Sequence, residues 1–515
     1  MSRMGKWPLH PLVYEINTAV WLTSLSRTYG RPISLGGIPQ AELERLAELR
    51  FDGVWLMGVW QRSAASRTIA RAEPALLGEY RRALPDVRPD DIIGSPYAIA
   101  DYIVDPLFGG DQELAALRQR LRALNLRLVL DFVPNHLARD HAWVGARPEF
   151  LVQGTAAEVQ ARPNDYFEAG GRVFAHGRDP NFAPWTDTVQ VDYRCAAARR
   201  ATTHLLVALS ERCDGFRCDM AMLVTADVFC RTWGGRFDPP GADFWPDAIR
   251  GIKRAHPGFL MLAEVYWDLE YDLQQQGFDF TYDKRLYDRF QRRDDPEAVR
   301  RHLFADIEFQ RRLARFVENH DEPRAAAQFG PEGSKAVAAL AVTLPGLRLL
   351  HQGQLDGFET RLPVQLRRSA PEPTNTDLQA FYQRLLNAVD SAVFHEGSWK
   401  LLEARAAWSG NRSCWNAVAH RWVKGEEFVL AVSNLSPDPM QCYVPLELPA
   451  LSGCTWELRD LLSEARYDRE GDGLLHPGLY LDVVLEPTFT GIWVRGRYAL
   501  FFLQPEVFSG TPDRR

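Results

Sequence analysis

Four short segments of the chain place charged or imidazole side chains where an apolar run stops. They read DFVPNH (131–136), GFRCDMA (215–221), AEVYW (263–267) and ENHDE (318–322). One acidic residue at the end of a strand is explained by capping of the next helix. Four such segments in succession, with two histidines and an arginine, instead indicate a catalytic site. Carboxyl groups in different environments divide the roles of nucleophile and general acid between them.

Apolar runs and helical patterns alternate over the first 390 residues or so, and they supply the elements that must hold these groups. In segment 111–125 leucines repeat at helical spacing, and Asp111 is the expected N-cap. The expected strands lie at 12–22, 53–60, 127–133, 215–220, 259–265, 278–282, 313–319 and 347–353. The expected helices lie at 39–50, 111–125, 195–212, 243–256, 296–312, 331–343 and 374–390.

Short apolar strands between helices are typical of a parallel sheet that is covered on both faces. Eight repeats predict an α/β fold, a (β/α)8 (TIM) barrel that closes near residue 390. The alternative is an open doubly wound sheet, but no G-x-G-x-x-G follows the first strand, which disfavours a dinucleotide-binding form. In a barrel the four segments meet, because active sites form at the C-terminal ends of the strands.

Two stretches are too long to be plain connections, and the sequence pattern changes after about residue 395. Residues 61–110 and 134–194 follow the second and third strands, and long loops of this kind are usually functional. Beyond residue 395, alternating runs separated by turn-rich pieces predict an antiparallel β-domain. The expected domains are a barrel (1–133 and 195–392), an inserted subdomain (134–194), a C-terminal β-sandwich (393–498) and a tail (499–515).

The composition is that of an ordinary globular protein. The chain has 515 residues, and its 60 basic and 67 acidic residues give a net charge of −7, which argues against a nucleic-acid partner bound through a basic surface. Its seven cysteines form no C-x-x-C pair, so neither a disulfide framework nor a zinc site is expected. The start has no pattern typical of a secretory signal, and no apolar run is long enough to span a membrane. A cytoplasmic location and no membrane partner are expected, and the oligomeric state is left open.

The four segments resemble the four signature regions of the α-amylase family of retaining α-glycosidases and transglycosidases (glycoside hydrolase family 13). Their order matches, and so does the strand that each would occupy. FDGVWL (51–56) and QVDYR (190–194) resemble accessory motifs of the same family. The resemblance implies that Asp219 is the nucleophile, Glu264 the general acid/base and Asp321 the third carboxylate, which favours the transition state.

The resemblance also implies a set of sugar contacts. His136 and His320 match two sugar-contacting histidines, and Tyr97 in GSPYAIADY (94–102) matches a tyrosine that stacks against the sugar at the cleavage point. Arg217 lies two residues before Asp219, so on a strand both side chains point to the same face. We expect its guanidinium to lower the pKa of Asp219, and we expect the pKa of Glu264 to lie higher.

No cofactor is required for this chemistry, but a bound calcium ion is possible. Many members of the family hold calcium between the barrel and the subdomain after the third strand. Asn135 matches an asparagine ligand there, and Asp192 lies near the position of an acidic ligand. Calcium takes six to eight oxygen ligands, and the sequence supplies only these two side-chain donors.

Departures from the family pattern bear on the carbohydrate substrate. Met222 and Leu223 stand where starch endo-amylases often carry Lys-His, and Gly94 stands where pocket-type α-glucosidases often hold an aspartate. GSPYA instead resembles the stretch in enzymes that move maltosyl units to and from phosphate. Three hypotheses remain: a hydrolase of short α-glucosides, a transglycosidase with a sugar or phosphate acceptor, and a non-catalytic binding or scaffold protein. The last predicts loss of a catalytic carboxylate, and all three are present.

Overall fold

Eight parallel strands form the centre of the molecule in a computed structural model that describes residues 6–238, 243–292, 295–436, 438–463, 465–483 and 498–505. The strands are β1 (Leu12–Asn17), β2 (Gly53–Met57), β3 (Arg127–Phe132), β4 (Gly215–Cys218), β5 (Leu260–Ala263), β6 (Phe280–Tyr282), β7 (Leu313–Arg315) and β8 (Leu347–His351). They close into a barrel in the order β1-β8-β7-β6-β5-β4-β3-β2. The predicted (β/α)8 barrel is confirmed, and the open sheet is excluded.

Helices follow the strands, because apolar residues at helical spacing give each a face that packs on the barrel. The larger ones are Thr18–Thr28, Gln40–Glu48, Asp111–Ala123, Ala196–Leu209, Phe244–Ala255, Ala325–Thr343 and Thr376–Val389. The shorter ones are Ala226–Trp233, Glu270–Gln275, Lys284–Gln291, Pro296–Leu303, Ile307–Gln310 and Ala392–Glu396. The expected N-cap at Asp111 is wrong. Gly110 is the N-cap, and the Asp111 carboxylate accepts a hydrogen bond from the backbone N–H of Val104.

The first strand is shorter than expected, and the difference matters for the site. The apolar run 12–22 is a strand only as far as Asn17, and a helix starts at Thr18. The Asn17 side chain caps this helix by accepting a hydrogen bond from the backbone N–H of Val20. Glu15 therefore lies close to the C-terminal end of a barrel strand, rather than in the middle of a long one.

The stretches after β2 and β3 carry their own small sheets. After β2, Trp60–Arg62 pairs with Ile99–Val104, and the helices Ala64–Ala72 and Pro74–Ala83 lie between them. After β3, His136–Ala138 pairs antiparallel with Thr188–Gln190. The same stretch contains a three-stranded sheet and two short helices: Gln153–Gly154, Tyr166–Ala169, Arg172–Ala175, Trp143–Ala146 and Ala156–Ala161.

Residues beyond the barrel form two antiparallel sheets around a separate apolar core that includes Leu430 and Cys442. One sheet has six strands: Ser398–Leu402, Ala417–Lys424, Glu427–Asn434, Thr455–Asp460, Arg466–Glu470 and Tyr498–Pro505. The other has three: Arg405–Ala406, Met440–Val444 and Leu479–Val483. Tyr498–Pro505 lies between Glu427–Asn434 and Thr455–Asp460, so the expected tail is wrong for residues 499–505. Residues 506–515 lie outside the described residues. Among the helices of the described chain, none is both long and apolar enough to cross a membrane.

The turn into β8 gives a test of the barrel. Gly346 has φ +111°, and a Cβ at this position would overlap the backbone oxygen of Leu313 in β7. We expect Gly346→Ala to lower the free energy of unfolding by about 2–5 kcal/mol, through left-handed strain and the clash. Gly30→Ala is the matched control: Gly30 also has positive φ (+64°), but no atom lies within 4 Å of its added Cβ. The control should cost about 1–2 kcal/mol. If urea denaturation showed equal losses in the free energy of unfolding for the two variants, the close approach of β7 to the turn before β8 would be contradicted.

Candidate active site

The four segments converge at the C-terminal end of the barrel. Arg217 lies within β4 and is fully buried. Asp219 follows β4 and Glu264 follows β5, and both are nearly fully buried. Asp131 lies in β3 directly beside Arg217 in the β3–β4 register. The barrel thus gathers carboxylates from three neighbouring strands around one guanidinium.

Arg217 binds two of the three predicted catalytic carboxylates, those of Asp219 and Glu264. Its Nη1 donates to Oδ1 of Asp219 at 2.7 Å, and its Nη2 lies 2.8 Å from Oε2 of Glu264. Nη1 is also 3.7 Å from Oδ1 of Asp131. Because arginine carries a planar, permanently charged fork, it fixes the orientation of two carboxylates at once.

Three aromatic rings surround the Arg217 guanidinium. The rings of Trp55, Tyr97 and Tyr282 lie with their centroids 5.1, 5.3 and 5.7 Å from its central carbon. Nε donates to the Tyr282 hydroxyl at 3.3 Å. Aromatic faces stabilise a buried cation without neutralising it. The charge of Arg217 is therefore left to act on the carboxylates.

Glu264 is held by three groups, and its environment favours the protonated form. Oε1 accepts from the Tyr266 hydroxyl at 2.7 Å, and Oε2 accepts from the backbone N–H of Met220 at 2.7 Å. Burial raises the pKa of Glu264 to about 7, although the charge of Arg217 opposes it. This carboxyl therefore changes its protonation state near neutral pH, as an acid/base group must.

Two opposite effects act on the pKa of Asp219. Burial raises its pKa above the ordinary value, although the charge and the hydrogen bond of Arg217 both lower it, as expected. The sequence shows the neighbouring arginine but not the depth of burial, which outweighs it. Arg217 counteracts the desolvation that would otherwise protonate Asp219.

Asp321, His320 and Tyr97 form a second cluster, which adjoins the first through the Tyr97 ring. His320 is buried, with Nε2 2.7 Å from the Tyr97 hydroxyl and 3.1 Å from Oδ2 of Asp321. The Asp321 side chain is 48% exposed and thus reaches the open side of the cluster. Partial loss of solvent around its carboxylate disfavours the charge, but His320 and then Arg217 outweigh this and lower the pKa of Asp321 to about 2. Asp321 is therefore ionised at neutral pH.

His136 lies in the stretch after β3, and the structure brings it to Tyr97. Its ring is hydrogen-bonded to the backbone of Tyr97 and packs on Trp185 at a centroid distance of 4.9 Å. Burial lowers the pKa of His136 to about 4, so it is neutral. Both histidines thus contact Tyr97, and His136 does so as a neutral ring.

Sequence reasoning missed several residues of this site, among them Glu15 and Tyr266. Glu15 in β1 lies with Oε1 2.5 Å from Nδ1 of His320, and Tyr266 binds Glu264. A signal existed for each. Glu15 is a charge inside an apolar run, and Tyr266 lies two residues after Glu264. Neither pattern alone separates a site residue from a structural one.

Asn135 and Asp192 do not fit a calcium ion. Both carboxylate oxygens of Asp192 accept from Arg194 at 2.8 Å, and Arg194 also donates to backbone carbonyls at residues 233–234. Oδ1 of Asn135 accepts from the Gln190 amide at 2.9 Å. Within the ranges that the structure describes, no group of three or more His, Cys, Asp and Glu side chains is arranged to hold a metal. The Arg194 guanidinium therefore occupies the Asp192 oxygens that a calcium ion would need, and the Gln190 amide binds that of Asn135.

The family model "Alpha amylase, catalytic domain" matches residues 33–390, more than half of the chain. The chain belongs to the α-amylase family. It is 22% identical over 310 residues to "Alpha-amylase 3" of Dictyoglomus thermophilum, which covers 56% of this chain and 58% of that relative. It is 25% identical over 294 residues to "Alpha-1,4-glucan:maltose-1-phosphate maltosyltransferase" of Bifidobacterium longum, which covers 51% of this chain and 32% of that relative.

The fold of solved family members matches over nearly the whole chain. The maltogenic α-amylase AmyB of Thermotoga neapolitana superposes with a TM-score of 0.67 at 19% identity, covering 97% of this chain and 99% of that one. The curated relatives, in contrast, are matched over about half of their length or less. These matches show the family and the barrel fold.

The Asp192–Arg194 pair gives a test of metal dependence. Because Arg194 already neutralises Asp192, we expect neither EDTA nor added Ca²⁺ to change the melting temperature of the wild-type chain. Arg194→Ala should lower the melting temperature, since it leaves a largely buried carboxylate unpaired. Arg162→Ala, which removes an exposed arginine paired with Glu158, is the control and should change it little. A rise in the wild-type melting temperature on adding Ca²⁺ would contradict this assignment.

Proposed function

We propose that the chain is a retaining glycosidase that hydrolyses α-glucosidic bonds of short oligosaccharides or small glucosides. The observation that carries the proposal is the shared contact of Asp219 and Glu264 with one guanidinium, Arg217. Two carboxyl groups flanking a scissile bond, one ionised and one protonated, are what glycoside hydrolysis requires.

The first half of the reaction uses both carboxyl groups. Asp219 attacks the anomeric carbon as a carboxylate, and the bond to the leaving group breaks. Glu264 gives its proton to the departing glycosidic oxygen, for which its pKa of about 7 is suited. The product is a glycosyl ester of Asp219.

In the second half, Glu264 is ionised and takes a proton from a water molecule. The water oxygen attacks the anomeric carbon, and the ester bond to Asp219 breaks. Two inversions give overall retention. Asp321, which stays ionised beside His320, stabilises the positive charge that develops on the sugar ring in each transition state.

The sugar ring would stack on Tyr97, with the neutral His136 hydrogen-bonding to its hydroxyls and His320 acting through the Tyr97 hydroxyl. A cavity beside His320 is lined by Asn17, Ser24 and Arg361 together with apolar side chains such as Phe358. Polar side chains of this kind bind sugar hydroxyls, which supports a short oligosaccharide as the substrate class.

Transglycosylation is the second candidate, and two observations favour it. GSPYA at residues 94–98 resembles the stretch in maltosyl-transferring enzymes, and a relative with 25% identity is named as a maltosyltransferase. Transfer uses the same covalent intermediate and differs only in the acceptor that replaces water.

The roles of the two carboxyl groups predict different variant behaviour. Asp219→Ala should abolish turnover, to less than a few per cent of wild type, while the melting curve stays that of a folded protein. Glu264→Gln should slow natural oligosaccharides by about 10²–10⁴-fold and aryl glycosides with good leaving groups far less, because these need no proton. Asp227→Ala, at an exposed carboxylate, is the control and should leave activity unchanged. Equal losses of Glu264→Gln on both substrate types would refute its acid role.

The acceptor is tested by products. Incubation with maltooligosaccharides, with and without inorganic phosphate, should give only shorter sugars, and proton NMR should show the α-anomer forming first. Formation of longer chains or of a sugar phosphate would contradict the proposed hydrolysis and would support transfer. First formation of the β-anomer would contradict retention under either proposal.

A further inference from the structure

Glu15 is a buried carboxylate that the mechanism above does not use. It is fully buried near the end of β1, and its Oε1 lies 2.5 Å from Nδ1 of His320. Its other oxygen, Oε2, is buried without a hydrogen-bond partner in the described structure. Among the ion pairs of the described residues, Glu15 has one cationic partner, His320.

His320 has an acceptor at each ring nitrogen. Glu15 lies at Nδ1, while Oδ2 of Asp321 lies 3.1 Å and the Tyr97 hydroxyl 2.7 Å from Nε2. A neutral imidazole carries a hydrogen on only one of its nitrogens, whereas an imidazolium donates from both. Carboxylates on both sides therefore favour the imidazolium.

The energetics point the same way. A buried carboxylate without a partner is strongly destabilising, whereas a paired and hydrogen-bonded one is tolerated. Other titratable groups near His320 are Asp321, Tyr97 and, more distantly, Asp131. Arg324 shares a cavity with His320, but it is bound to Glu318. Although burial disfavours a charged ring, Asp321 and Glu15 raise the pKa of His320 well above its ordinary value.

We propose that Glu15 is a positioning residue that holds His320 as an imidazolium, with Nε2–H directed at Tyr97 and Asp321. The Tyr97 hydroxyl then accepts from His320 and has its own hydrogen free to donate to a substrate hydroxyl. The charge on His320 also keeps Asp321 ionised. The role in sugar binding rests on the proposed function, whereas the charge of His320 does not.

The charge state is tested by NMR titration of protein labelled with ¹⁵N-histidine, in an Asp219→Ala background that prevents turnover. His320→Gln assigns the resonance by its loss. We expect His320 to titrate above 6.5 with Glu15 present. Glu15→Gln keeps an oxygen that can accept from Nδ1 but removes the charge, and it should lower the His320 pKa by roughly one to three units. Glu15→Asp keeps the charge and should leave the pKa raised.

Glu113→Gln is the matched control, since it removes a carboxylate that binds Ser34 and the backbone of Gly36, away from His320. It should leave the His320 titration unchanged. A His320 pKa at or below 6.5 in the Asp219→Ala protein with Glu15 present, or the same value after Glu15→Gln, would overturn the proposal. The titration with Glu15 present decides this even if the Glu15→Gln protein does not fold.

Maltotriose binding by calorimetry tests the second part, at a pH between the two His320 pKa values. We expect weaker binding to Glu15→Gln and restored binding to Glu15→Asp. Equal affinities would overturn the role of Glu15 in sugar binding. Turnover by the Asp219→Ala background would instead refute the nucleophile assignment, and the histidine titration would still decide the charge of His320.

Discussion

The charge of Arg217 is the constraint on which the rest of the site depends. Three carboxylates from adjacent strands lie around it, and without it they would repel one another in a buried space. The aromatic rings of Trp55, Tyr97 and Tyr282 stabilise the cation without competing for it. One guanidinium thus allows Asp219 and Glu264 to lie close together while burial raises the pKa of each.

Much of the barrel could be predicted from the sequence, because its strands and helices carry strong local patterns. The positions of Asp219, Glu264 and Asp321 could also be predicted, since each follows an apolar strand and the ends of parallel strands meet. The direction in which the pKa of Asp219 is shifted could not be predicted, because burial is a property of the whole fold. The sequence likewise shows Asp192 but not that its carboxylate binds Arg194, two residues further along the chain.

The role of Glu15 could not be predicted from the sequence either. Its run of apolar neighbours suggested one strand from 12 to 22, whereas Asn17 caps a helix and ends the strand. Its partner, His320, is 305 residues away, so no local pattern connects them. The contact between Glu15 in β1 and His320, which follows β7, forms only because the barrel closes.

This separation ties the chemistry of the site to the completeness of folding. β1 joins β8 and β2, so Glu15 reaches His320 only after the chain has closed the ring of strands. Contacts of such high sequence separation form late, since the entropy of the intervening loop must first be lost. An incompletely closed intermediate would contain all of the carboxylates but not the charged histidine. Catalytic competence therefore appears only with the last step of assembly, and never in a half-formed barrel.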